Sequence, residues 1–221
     1  MKRTLTSVAL IVAAVGTMAS GTASATPILE VDGSSVALTY LGSGLYSFGT
    51  STSDWVVAGT VYDYAPSVSP RFDLGSFSAS CGVSDSGCAS SPLTLSITDT
   101  FTQPVPLNGF LTVLTDSQTG NGSVTQTATY GSSDSSGTIG TITCTGTDMC
   151  TPSGQVWGGG PVGPSPYSLT LTDVFTAADT AGVTFSTDGD IRVPEPGTVA
   201  LFGAALLGCA LFLGRRRVPN V

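Results

Sequence analysis

The chain has 221 residues, 15 acidic and 7 basic side chains and no histidine, and only 10% of its residues are charged against roughly 25% in an ordinary soluble domain. Without histidine there is no Ser-His-Asp triad, no Cys-His pair and no His-ligated zinc or haem. A formal net charge of −8 excludes a basic nucleic-acid footprint.

The N-terminus opens with Lys2 and Arg3, continues through the apolar run from Val8 to Val15, and reaches Ala23-Ser24-Ala25, a small-x-small site before Thr26. This is the order of a secretory signal peptide over residues 1–25, cut by signal peptidase so that the mature chain begins at Thr26. The apolar run is far shorter than the ~20 residues that span a bilayer. Cysteine is absent near the cut, so a lipoprotein route is not expected.

Residues 26–192 form the exported part, expected as one domain. Its basic residues are Arg71 and Arg192, against fourteen carboxylates, a formal charge of −12. Such a surface repels nucleic acid and anionic lipid and favours solubility. Threonine (32 residues) and serine (29) make up more than a quarter of the whole chain.

The local pattern reads as strands. Val36, Leu38 and Tyr40 alternate with Ala37 and Thr39; Val56-Val57 and Val61-Tyr62 flank Gly59; Leu93, Leu95 and Ile97 alternate with Thr94, Ser96 and Thr98. Phe110 to Leu114 and Val124 to Tyr130 read as two strands joined across Asp116 to Gly122, and Ile139 and Ile142 mark another. No 3.6-residue stripe appears before residue 198. Short strands with Gly and Asn turns predict an all-β fold, a jelly-roll-like β-sandwich.

Two segments repeat. Ser91 to Thr102 aligns without gaps on Ser165 to Thr176, with seven of twelve positions identical. Two equivalent strands of a sandwich would explain it. Strict alternation puts Asp99 in phase with Leu95, Ile97 and Phe101, and Asp173 in phase with Leu171 and Phe175. A bare buried carboxylate costs several kcal/mol, so each Asp is expected to end its strand and bond turn amides, or the strand to bulge there. A carboxylate ligand for structural calcium is the sharper reading, and Asp188-Gly189-Asp190 lacks the rest of a calcium loop. No metal or cofactor is otherwise expected.

Cys81 and Cys88 precede the first copy, Cys144 and Cys150 the second. Four exported cysteines fit an oxidising compartment and allow three pairings, of which the two local ones are expected. A four-thiolate zinc site is the alternative, with spacings unlike the usual C-x₂₋₄-C. Cys209 reads as an apolar filler in the tail.

The tail carries the most specific signal. Val193, Pro194, Glu195, Pro196 and Gly197 lead into an uncharged run, Thr198 to Leu213, followed by Arg215, Arg216 and Arg217. The prolines keep the chain extended, and the sixteen-residue run is a membrane helix of about 24 Å, slightly short of a ~30 Å hydrocarbon core. The arginine cluster fixes that end in the cytoplasm. Residues 193–217 resemble the PEP-CTERM sorting signal of certain bacteria, with all three of its parts in order. The resemblance implies an exosortase, a membrane transpeptidase that cuts near Pro-Glu-Pro, as the partner. It also implies an inner-membrane intermediate and then a destination at the cell surface or in an exopolysaccharide matrix. The motif is then another enzyme's substrate, and this chain offers no catalytic residues of its own.

The expected function is that of a non-catalytic, exported surface or matrix protein, structural or adhesive, with Ser132 to Thr147 as candidate O-glycan carriers. The alternative is a carbohydrate-binding module, in which Trp55, Trp157, Tyr62, Tyr64 or Tyr167 would stack on sugar and Asp54 or Asp63 would accept hydrogen bonds. Trp157 precedes Gly158-Gly159-Gly160 and is expected in a flexible loop. A small two-carboxylate glycoside hydrolase is the least expected class, because no carboxylate spacing points to one. The threonine content suggests ice binding, but no regular Thr-x-Thr ladder on one face is read from the sequence.

Overall fold

The computed structural model describes residues 26–63, 71–73, 75–82, 87–102, 109–146, 149–151, 154–160, 166–178 and 182–192. The signal peptide, Tyr64, the Pro194–Pro196 motif, the 198–213 run, Cys209 and the arginine cluster lie outside the described residues. Among the described residues no helix is long and apolar enough to cross a membrane.

The described chain opens with a hairpin, β1 (Ile28–Val31) and β2 (Ser34–Val36), turned at Asp32-Gly33 with φ of 49° and 73°. A second hairpin, β3 (Thr39–Gly42) and β4 (Leu45–Ser51), turns at Ser43-Gly44 with φ of 52° and 78°. Both are two-residue turns with two left-handed residues, the geometry that matches strand twist. Val36 and Tyr40, expected on one strand, therefore sit on two, parted at Ala37-Leu38.

β5 (Trp55–Asp63), β6 (Arg71–Asp73) and β7 (Phe77–Cys81) follow, then a single helical turn, α1 (Gly87–Ser90). The remainder is β8 (Leu93–Phe101), β9 (Phe110–Thr119), β10 (Gly122–Ser132), β11 (Ser136–Thr145), β12 (Met149–Thr151), β13 (Gln155–Gly158), β14 (Tyr167–Ala177) and β15 (Thr184–Arg192).

Two antiparallel sheets result. Sheet A runs β12-β11-β10-β14-β8-β1-β2; sheet B runs β13-β9-β15-β6-β5-β4-β3, with β7 in line with β6 between β15 and β5. The fold is an all-β sandwich. Phe110 to Leu114 and Val124 to Tyr130 do not form the expected hairpin: β9 belongs to sheet B and β10 to sheet A, and Gly120-Asn121 carries the chain across. A period-2 pattern shows which side of a strand is buried, and a strand facing the core from above has the same pattern as one facing it from below.

The alternation is strict where it matters. β14 reads buried and half-buried in turn from Tyr167 to Ala177, and β8 does the same over most of its length. Inward residues from both sheets make the core, with Phe77 edge-on to Phe175 (5.4 Å), Phe175 tilted against Phe185 (5.2 Å) and Trp55 beyond it (6.1 Å). Each ring buried in full is worth about 1.5–3 kcal/mol, and the ring pairs add about 0.5–1.5 kcal/mol each. Ile139 and Ile142, three residues apart, are both buried because the ladder slips between Ala128 and Thr129.

Both disulfides are local, Cys81–Cys88 and Cys144–Cys150. The first ties β7 to α1; the second joins residues directly opposite each other on β11 and β12.

Candidate interaction surface and buried polar sites

The pairing of β11, β10, β14 and β8 sets their outward residues in rows. One row is Thr98, Thr170, Thr129 and Thr138; the next is Ser96, Thr172, Thr127 and Thr141; a third is Thr94, Val174, Thr125 and Thr143. Beyond them stand Thr100, Ser168, Gly131 and Ser136 at one end, and Thr176, Ser123 and Thr145 at the other. Every position carries a hydroxyl except Val174 and Gly131, and none is charged. Along β8, β10 and β14 these residues recur every second position, about 6.7 Å apart, and across strands about 4.8 Å apart; on β11 the slip puts one extra residue between Thr138 and Thr141. The one-face Thr-x-Thr ladder not read from the sequence is present, assembled from four strands whose own segments include Thr125-x-Thr127-x-Thr129 and Thr141-x-Thr143-x-Thr145.

Within the array some hydroxyls bond across the strands: Thr98 to Thr170 at 2.8 Å, Thr125 to Thr143 at 3.1 Å, and Ser96 to Thr172 and Thr127 to Thr141 at 3.4 Å. Such pairs stabilise a sheet by about 0.2–1 kcal/mol each. Each hydroxyl in a pair keeps capacity for an external partner, and its methyl or methylene gives an apolar contact beside it. Where Gly131 leaves a gap, a shallow depression of about 400 Å³ opens, lined by Thr100, Gly131, Ser132, Pro166, Tyr167 and Ser168.

The two tryptophans have opposite fates. Trp55 is 1% exposed and its indole N–H donates to the Ser91 carbonyl at 2.9 Å, so it offers no face to a glycan. Trp157 is 61% exposed, and it lies on β13, the edge strand of sheet B, rather than in a flexible loop. Its strand approaches β11 of sheet A so closely that a side chain at Gly158 would collide with the Ile139 carbonyl, and glycine permits that approach. Tyr167 is buried, stacked on Phe101 at 5.8 Å, and Asp63 is buried too. Tyr62 is half-buried and Asp54 half-exposed, and neither adjoins Trp157 in the strand pairing.

Asp99 and Asp173 correct the expectation of strand ends and turn amides. Both are in mid-ladder, on the inner face, with no bulge. Asp99 Oδ1 accepts the adjacent Thr100 amide at 2.7 Å. Burial, and after it the charge of Asp63, pushes the Asp99 carboxyl up to about 7, against the pull of that amide.

Asp173 is fully enclosed, and neither carboxylate oxygen has a hydrogen-bond partner. Burial first, then the charge of Asp116 from sheet B, pushes it up to about 8. Asp116, half-buried on β9, is pushed up to about 6 by burial, with the Ser117 amide opposing. Gln126 stands opposite Asp173 on β10, and Thr187 opposite Asp116 on β15. Asp63, Asp116, Gln126 and Thr187 are not read as one set from the sequence. The signal is there for all four: each is a polar residue in the apolar phase of its strand, as in Val61-x-Asp63, Leu114-x-Asp116, Val124-x-Gln126-x-Ala128 and Phe185-x-Thr187. Asp188-Gly189-Asp190 lies within β15 and forms no loop.

β15 closes the described domain at Arg192, whose Nε lies 3.8 Å from Asp190 Oδ2. The family comparison begins at this residue: positions 192–217 match the PEP-CTERM protein-sorting motif. No curated protein and no solved structure matches the chain. The chain thus carries a PEP-CTERM sorting motif, the signal that marks exported proteins for an exosortase and the cell surface.

Proposed function

We propose that this exported protein is a non-catalytic component of the cell surface or extracellular matrix that holds neutral polysaccharide against the outer face of sheet A. The observation that carries the reading is the uncharged, four-strand array of hydroxyls. A neutral glycan presents the same alternation of hydroxyl and C–H groups, so each Thr can exchange hydrogen bonds through Oγ1 and pack through its methyl. An anionic polymer would meet a protein of formal charge −12 over residues 26–192 and be repelled. The depression at Gly131 has a volume suited to a sugar-sized group at the border of the face.

In this reading exosortase processing delivers the domain to where such a polymer is made, with Pro194 to Pro196 as the substrate motif and the apolar run 198–213 as the transient membrane anchor. Deleting Pro194 to Pro196 leaves the chain in the inner membrane with its C-terminus uncut, read by intact mass of the membrane fraction. Normal surface delivery of that deletion would sink the sorting reading.

The polymer-binding reading is tested by co-sedimentation of the protein with the host's matrix polysaccharide. Replacing Thr127 and Thr172 together by lysine keeps the fold, since both point outward, and abolishes retention. A second locus is favoured by the exposure of Trp157. Loss of retention in Trp157→Ala with the lysine pair unaffected would move the site to the β13 edge. If neither change alters retention while the protein slows ice recrystallisation, the array faces ordered water instead.

A further inference from the structure

The interior cluster around Asp173 has an imbalance that the polysaccharide reading does not address. Five oxygens in it are buried without a hydrogen-bond partner: both of Asp173, Oδ1 of Asp116, Oε1 of Gln126 and Oγ1 of Thr187. All belong to side chains brought together by register and by the facing of the two sheets. Buried polar atoms in native proteins are paired with few exceptions, and an unpaired one costs on the order of 1–3 kcal/mol, more for a charge.

The donor count makes the imbalance specific. The Gln126 amide nitrogen is spent on sheet B, donating to Thr112 Oγ1 and to the Val113 carbonyl, both at 2.8 Å. Turning that amide over would set its oxygen against the Val113 carbonyl, acceptor against acceptor, so Val113 fixes which way Oε1 points. Oε1 lies against Gly189, where any side chain would collide with it. With both carboxylates ionised, the Thr187 hydroxyl is the one donor among five oxygens. The set is short of positive partners and consists of hard oxygen atoms from two carboxylates, one amide and one hydroxyl.

We propose that Asp173, Asp116, Gln126 and Thr187 form a divalent-cation site of the calcium type, bridging sheets A and B. Two carboxylates balance the charge of one divalent ion, and carboxylate, amide and hydroxyl oxygens are the ligands such an ion takes. Asp116 is half-buried, which leaves a side from which the ion enters and from which water completes its shell. Two further observations point beyond the carboxylates themselves: Gln126 is fully enclosed and Thr187 is 2% exposed, and both aim an unpartnered oxygen inward. The second acid pair, Asp63 with Asp99, differs in that Asp99 already takes the Thr100 amide.

The test is calcium titration of the full chain after EDTA dialysis, by calorimetry and by thermal melting, with magnesium at equal ionic strength as control. One site per chain is expected, with a dissociation constant on the order of 0.1–1 mM as in extracellular modules, and a melting temperature that rises with calcium. Asp173→Asn and, should that variant fold poorly, the half-buried Asp116→Asn weaken calcium at least ~10-fold, as loss of one charged ligand in a site of few ligands implies. The absence of calcium heat and of any calcium effect on melting overturns the proposal. So does wild-type affinity in Asp116→Asn, which would place the ion elsewhere in the chain.

Discussion

Asp99 and Asp173 stand on neighbouring antiparallel strands at positions exchanged by a local twofold. Ile97 pairs directly with Leu171, and the sequence repeat also equates these two residues. The rotation that carries one onto the other carries Asp99 onto Asp173 and Leu95 onto Leu169. Each Asp faces a carboxylate of sheet B, Asp63 in one case and Asp116 in the other. The repeat is thus two adjacent strands of one sheet, each delivering an acid into the same core from opposite directions.

The Asp99 pair makes stability depend on pH. The carboxyl titrates near 7 in the folded protein and near 3.9 when unfolded. Between those values the native state keeps a proton that the unfolded state has released. Its stabilisation is therefore full at about pH 4 and below, shrinks as pH rises to about 7, and changes no further above that. Melting temperatures in EDTA at pH 5, 6 and 8 should fall in that order. Asp99→Asn should flatten the slope and raise the value at pH 8. An equal slope in the variant would assign the dependence to another group. Tyr46, Tyr40 and Asp63 are the titratable neighbours on the facing sheet.

Gly189→Ala should destabilise the protein by about 1–3 kcal/mol, because the new methyl displaces the Gln126 amide and its two hydrogen bonds. Gly49→Ala is the control: nothing lies within 4 Å of a side chain there, and stability should hold or improve. Urea midpoints of the two variants give the comparison.

Removing either disulfide by paired Cys→Ser substitution should cost about 2 kcal/mol, since the bridges close loops of separation 7 and 6. Denaturant melts under oxidising conditions measure this. A reduced wild type should lose at least as much as either variant.

Trp157→Ala should leave stability within about 0.5 kcal/mol, as expected of an exposed edge residue. The remaining emission comes from Trp55, buried against Phe185, and should be blue-shifted and poorly quenched by acrylamide. Emission that stayed red-shifted would place Trp55 in contact with water.

The strands were legible where one segment carries its own evidence. The alternation of Leu93 to Phe101 and of Tyr167 to Ala177, the local pairing of Cys81 with Cys88 and of Cys144 with Cys150, and the start of the sorting motif at the domain's end could all be read along the chain. The hydroxyl face could not. Thr-x-Thr runs such as Thr125 to Thr129 are visible in the sequence, but Thr98 meets Thr170 across 72 positions, and the lateral register that joins such runs into one face is not. The partners of Asp99 and Asp173 were hidden for the same reason, lying one sheet away. Trp55 precedes Val56-Val57 and Trp157 precedes Gly158-Gly159-Gly160, which by itself fixes the burial of neither. Only the phase of Trp55 with Val57 and Val61, all buried, separates the core ring from the exposed one.

The position of Arg192 has a mechanical consequence. It ends β15, which is hydrogen-bonded on one side to β9 and on the other to β6 and β7. Under the proposed exosortase processing near Pro194 to Pro196, a surface tether would join the chain just after that residue. A pull from the tether therefore loads an interior strand along its length. It must shear two ladders of backbone hydrogen bonds together rather than peel an edge strand one bond at a time. Such an attachment resists force through the geometry of the sheet.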